Sequence, residues 1–144
     1  MAASDAPRRG LKAFVLVVGL AVAATLTGCG VDVEKREVAS AADAFNAEAA
    51  RDPGGACRLL APRTVESLES QGSGDCATGL EDAGIPPAGA RGAVSVAGHT
   101  AQVRYSEGAV FLSLFDDGWR VTAAGCTRSS GDPSVPYDCL VQGQ

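Results

Sequence analysis

The chain predicts an α+β domain in which helices come first and pack on a four-stranded antiparallel sheet. Two observations carry that prediction. Apolar residues recur at helical spacing before Ile85 and alternate singly from Arg91 onward, so the period of the pattern changes once. Short turn signals, Gly98-His99, Ser106-Glu107-Gly108 and Asp116-Asp117-Gly118, then cut the second half into strand-length pieces. A chain of 144 residues has room for one such domain and a processing segment, and no room for a second core.

The processing segment comes first. Arg8, Arg9 and Lys12 precede an uncharged run from Ala13 to Leu26 that ends in small residues, which is the pattern of an export signal. Fourteen residues fall short of the roughly 20 that a spanning helix needs. Arg8-Arg9 faintly resembles a twin-arginine signal, but paired arginines are ordinary in such segments and the general secretory route is the default. The run closes on Leu26-Thr27-Gly28-Cys29, which resembles the bacterial lipobox. That resemblance implies a diacylglyceryl group on the Cys29 thiol, cleavage after Gly28 and acylation, palmitate included, of the new amino terminus. Residues 1–28 are then a lipoprotein signal peptide, 29–37 a lipidated tether, and 38–144 a single disulfide-stapled domain. Each buried methylene contributes about 0.8 kcal/mol, so two or three acyl chains hold the protein on the extracytoplasmic face of the cell membrane where one would not.

The first helix runs from Val31 to Arg51, with Val38, Ala42, Phe45 and Ala49 on one face. Asp52-Pro53-Gly54-Gly55 stops it, since proline lacks the donor and glycine tolerates positive φ. Pro62 suits the opening turn of a second helix reaching Ser70 through Val65 and Leu68. Gln71-Gly72-Ser73-Gly74 breaks the chain, and Asp75 N-caps a third helix, Cys76 to Ala83. Ile85-Pro86-Pro87-Ala88-Gly89 leads out of the helical half. The strands follow as Ala93–Ala97, Thr100–Tyr105, Ala109–Phe115 and Trp119–Ala124. In the third, Val110, Leu112 and Leu114 share one face and Phe111 and Phe115 the other, the mark of a central strand.

Assigning Cys29 to lipid leaves Cys57, Cys76, Cys126 and Cys139, an even number suited to two disulfides in an exported domain. Three pairings exist. The local one, Cys57 with Cys76 and Cys126 with Cys139, ties two helices together and pins the Pro-rich tail to the end of the last strand. No two cysteines have CxxC spacing, so neither a metal nor any other cofactor is expected.

The remaining candidates for chemistry are thin. His99, the only histidine, sits in a Gly-His turn and reads as a solvated turn residue. Asp116 and Asp117 are adjacent and meet the needs of the turn itself. Asp43 and Glu48 on the first helix and Tyr105 on the sheet form no evident acid–base set, and no nucleotide, hydrolase or metalloprotease motif is present. Phe45, Tyr105, Phe111 and Trp119 are the candidates for an apolar pocket between helices and sheet. Beyond residue 28 there are nine basic and sixteen acidic side chains, so the mature domain repels phosphate backbones and anionic headgroups. No nucleic-acid partner is expected.

Ala56 to Pro62, Cys76, the run Trp119-Arg120-Val121-Thr122-Ala123-Ala124-Gly125-Cys126 and Pro136-Tyr137-Asp138-Cys139 together resemble small actinobacterial lipoproteins of uncharacterised role. The arrangement is similar to the NTF2-like cone, in which helices fill the concave face of a curved sheet; four strands make this a small variant. That cone hosts enzymes and inert scaffolds alike, so the resemblance implies a fold and no reaction. The expectation is a lipid-anchored, non-enzymatic domain that binds an envelope protein or component. The alternatives are a hydrophobic-ligand pocket at the four aromatic residues and a small isomerase or hydrolase working through Asp43 or Tyr105.

Overall fold

The computed structural model describes residues 29–71 and 74–143; the expected signal peptide, residues 1–28, and the side chain of Cys29 lie outside the described residues. Helix α1 spans Cys29–Ala49, α2 Pro53–Cys57, α3 Pro62–Gln71 and α4 Cys76–Ala83. Strands β1 (Arg91–Ala97), β2 (Thr100–Tyr105), β3 (Gly108–Phe115), β4 (Gly118–Thr127) and β5 (Asp138–Gln142) complete the chain. Residues 29–33 belong to a unit that precedes the one described below, Glu34–Gln144. The segment 29–37, expected as tether, is helical.

The helices-then-sheet order is as expected, but the sheet has five strands, paired as an antiparallel meander in the order β1-β2-β3-β4-β5. The additional strand is the end of the Pro-rich tail. Cys139 lies opposite Cys126 and Val141 opposite Ala124, so the disulfide sits on a strand pair that extends β4 to Thr127. Pro133 and Pro136 confine the irregular part of the tail to the residues before Asp138. A second correction is α2. Asp52-Pro53-Gly54-Gly55 ends α1 but then starts a five-residue helix. Proline costs nothing at a first turn, and the Asp52 carbonyl accepts the Ala56 N–H at 3.0 Å.

The core is set by the predicted stripe on α1. Val38, Ala42 and Phe45 are fully enclosed and share one apolar cluster with Leu60, Val103, Val110, Leu112, Val121 and Val141. These strand residues alternate with exposed or half-buried ones, so only one face of the sheet meets the helices. The edge of β4 is closed where β5 stops. Ala61 N–H donates to the Val121 carbonyl at 2.8 Å, and Val121 N–H to the Leu59 carbonyl at 2.9 Å. Leu60 thereby pairs with Val121 as a one-residue bridge. Thr64, the buried polar residue, donates its hydroxyl to the Thr122 carbonyl at 3.1 Å.

Both local disulfides form, Cys57–Cys76 across 19 residues and Cys126–Cys139 across 13. The first joins α2 to α4, whose N-terminus Asp75 caps as expected, accepting from the Thr78 N–H at 3.0 Å and the Ala77 N–H at 3.3 Å. These amide and hydroxyl donors hold the Asp75 carboxyl below its ordinary range, chiefly through the Thr78 hydroxyl.

Two stability measurements check this account. Phe45→Ala removes a ring with no exposed surface and is expected to cost about 3–5 kcal/mol in chemical denaturation. Replacing Cys57 and Cys76 together by alanine opens the 19-residue loop and is expected to cost about 3 kcal/mol.

Candidate functional site

Two places on the unit gather side chains that chemistry could use. The first joins α1 to the beginning of the sheet. Tyr105 ends β2 on the helix side, and its hydroxyl donates to Asp43 Oδ1 at 2.7 Å across 62 residues of sequence. Arg91, opposite Tyr105 in the β1–β2 register, brings its Nη1 to 3.3 Å from Asp43 Oδ2. Burial first, and then the Asp43 carboxylate that accepts its proton, push the Tyr105 phenol far above its ordinary value. The Arg91 and Asp43 side chains are each 45 % exposed, so the ion pair itself adds little.

Beside this group lies a cavity of about 20 Å³ lined by Asn46, Ile85, Pro86, Tyr105 and Val110 among others. The Asn46 side chain lies in this lining and acts on the Tyr105 phenol against the upward shift. The space is far below the roughly 300 Å³ or more of a small-molecule site. Asp43 and Tyr105 are brought together, and each Asp43 oxygen holds a partner, the Tyr105 hydroxyl on Oδ1 and Arg91 Nη1 on Oδ2.

The second place is the face of the sheet that no helix covers. Ser95, Gln102 and Phe111 form one cross-strand row, and Thr100 and Ser113 form part of the next. Small side chains in the second row leave a groove of about 260 Å³, lined by these residues with Ala97 and Thr122. Phe111 bounds it. The Tyr137 ring meets Phe111 edge-on at 5.1 Å, and the Arg128 guanidinium lies 4.0 Å from the centre of the Tyr137 ring. The floor is apolar and the rim is hydroxyl and amide, without a charged side chain in the lining.

The four pocket candidates are not assembled. Phe45 is enclosed in the core, and Phe111 lies on the opposite face because strand side chains alternate. Tyr105 pairs with Gly108 and Trp119 with Leu114, so they stand six residues apart along β3, roughly 20 Å. His99 is exposed in its turn. Asp117 accepts from Arg120, whose Nη1 also donates to the Arg58 carbonyl at 2.7 Å, and this contact lowers the Asp117 carboxyl. Among the described residues no three metal-ligating side chains cluster, and no helix is long and apolar enough to cross a membrane. Arg91 and Asn46 were not singled out by the sequence, since nothing in their spacing ties them to Asp43 or Tyr105. The groove residues had a signal, the small polar positions alternating with Val94, Val96 and Val103.

The fold and these two places define a disulfide-stapled α+β domain, filled on its helix side and grooved on its open side. No protein-family model, curated protein or solved structure matches the chain.

Tyr105→Phe is expected to cost about 1 kcal/mol in denaturation at neutral pH. The folded state retains a phenolic proton that the unfolded chain releases near pH 10, so this contribution is whole below that pH and is lost as pH rises through the folded value. Wild-type stability should therefore fall more steeply above pH 10 than that of Tyr105→Phe; parallel profiles would contradict the assignment.

Proposed function

We propose that the chain is a lipid-anchored, extracytoplasmic binding module of the cell envelope, tethered through Cys29, whose helix-free sheet face recognises a partner. The observation that carries the reading is the groove of about 260 Å³ on the helix-free face, whose floor is apolar and whose lining holds no charged side chain, whereas the larger hollow on the outer surface of α3 is lined by Arg63, Glu66, Ser67, Ser70 and Gln71. Two disulfides suit an oxidising compartment outside the cytoplasm. The lipobox resemblance supplies the anchor that the acidic mature domain cannot obtain from charge. On this reading the domain is a small NTF2-like variant whose cone is filled, and it works without catalysis. The uncharged rim of Ser95, Thr100, Gln102 and Ser113 suits a neutral, weakly apolar surface of an envelope protein better than an ionic ligand.

Two variants of the full chain test anchor and groove separately. Cys29→Ala should move the protein from the membrane fraction to the soluble one and remove the acyl mass. Ser113→Trp places an indole in the groove without touching the core; it should weaken capture of the cross-linked partner by about tenfold or more, some 1.4 kcal/mol, with an unchanged melting curve. Undiminished capture by Ser113→Trp would refute the groove as the recognition surface.

A further inference from the structure

We propose that the exposed edge of the sheet, strand β1, pairs with β1 of a second copy of the chain to make a two-fold symmetric dimer. The inference goes beyond the binding role and holds whatever the groove binds.

The two ends of the sheet are treated differently. β5 is short, begins with Asp138 and is bonded to β4 by the Cys126–Cys139 disulfide, and the edge of β4 beyond it is taken by Leu59–Ala61. β1 is the other end of the strand order and, among the described residues, has a neighbour on one side only. Residues 92–98 contain no charge and no proline, two of the usual means by which an edge is kept from pairing. The bulge between Arg91 and Val94 lies at the start of the strand, and Val94 to Ala97 keep regular register with β2.

The hairpin identifies which backbone groups are free. Gly98 and His99 form a two-residue turn closed by Ala97 and Thr100, with Gly98 at φ 59° and no positive φ at His99, the type II′ geometry. The closing pair exchanges hydrogen bonds with β2, and pairs alternate from there. Ala97 and Ser95 are thus bonded inward, while Val96 and Val94 turn their N–H and C=O groups to the open edge.

The occupant is indicated by the sequence of the strand itself. Gly92-Ala93-Val94-Ser95-Val96-Ala97-Gly98 reads the same in both directions about Ser95. An antiparallel pair of identical strands with its two-fold axis at Ser95 places Val94 opposite Val96, Ala93 opposite Ala97 and Ser95 opposite Ser95. The outward-turned valines then exchange hydrogen bonds, and the serines form the central pair of the other kind, with Cα atoms about 4.5 Å apart. Side-chain chemistry matches at every position. Val94 and Val96 are half-buried and packed at the border of the core, so pairing continues the apolar layer across the axis. Such an isologous contact closes on itself and leaves no edge to propagate. Ser95 and Ala97 also line the groove, so the dimer would join two grooves into one trough.

Native mass spectrometry of the purified full chain should give a dimer for the wild type. Val96→Pro removes an outward N–H without breaking the β1–β2 ladder and should give a monomer, half the mass, with unchanged circular dichroism. A cysteine register scan decides the case even if that variant fails to fold. Under mild oxidation Ser95→Cys should cross-link to itself; Ala93→Cys and Ala97→Cys should each remain without a cross-link alone and cross-link when mixed. A monomeric wild type at all concentrations, cross-linking without this register, or an unrelated extended peptide seated on β1 of a monomeric chain would overturn the proposal.

Discussion

The structure depends on Phe45. Its ring has no exposed surface and shares a cluster with Val103, Val110, Leu112 and Val121 from three successive strands and with Leu60 from the segment after α2. A side chain of that size in the middle of the helix-facing side provides much of the apolar burial and fills the space between helices and sheet. Around it the smaller contacts follow. Ala42 and Val38 continue the stripe one and two turns earlier, Tyr105 ties α1 to the sheet through Asp43, and Leu59–Ala61 closes the edge of β4.

With the interior filled, the open groove lies on the outside of the sheet. The outward residues of β1, β2 and β3 are mostly small or hydroxylated, and their uniformity is what makes a groove rather than a set of isolated side chains. Phe111 stands out, covered on one side by Tyr137 from the tail, with Arg128 stacked beyond it. The disulfide at Cys126–Cys139 holds the two ends of that tail together, so the staple that lengthens the sheet also positions the aromatic wall of the groove.

Much of this was legible in the residues. Val38, Ala42 and Phe45 show helical spacing and form the core stripe; Asp75 caps α4; the local cysteine pairs form; and Val103, Val110 and Leu112 face the core, whereas a register shift in the β3–β4 pairing sets Ala123 opposite Phe111 and buries Ala124 in its place. What was not legible depends on pairing across long separations. β5 was hidden because five residues after two prolines carry too little pattern, and its identity comes from lying opposite Cys126. The α2 turn was read as a plain stop because Pro-Gly-Gly is weak helix material, yet its backbone groups are satisfied by Asp52 and the turn after it. The four aromatic residues do not form one pocket, because Phe111 shares a face with Phe115, opposite to Leu112, and strand period alone separates it from Phe45.

Site-specific photo-cross-linking in intact cells tests the central claim, that the domain acts from the open face of a filled fold. A photoreactive phenylalanine analogue placed at position 102, on the groove side, is compared with one at position 66, on the exposed side of α3. The account predicts a discrete membrane-associated adduct from position 102 and none from position 66. Adducts from position 66 alone would place recognition on the helices and contradict it.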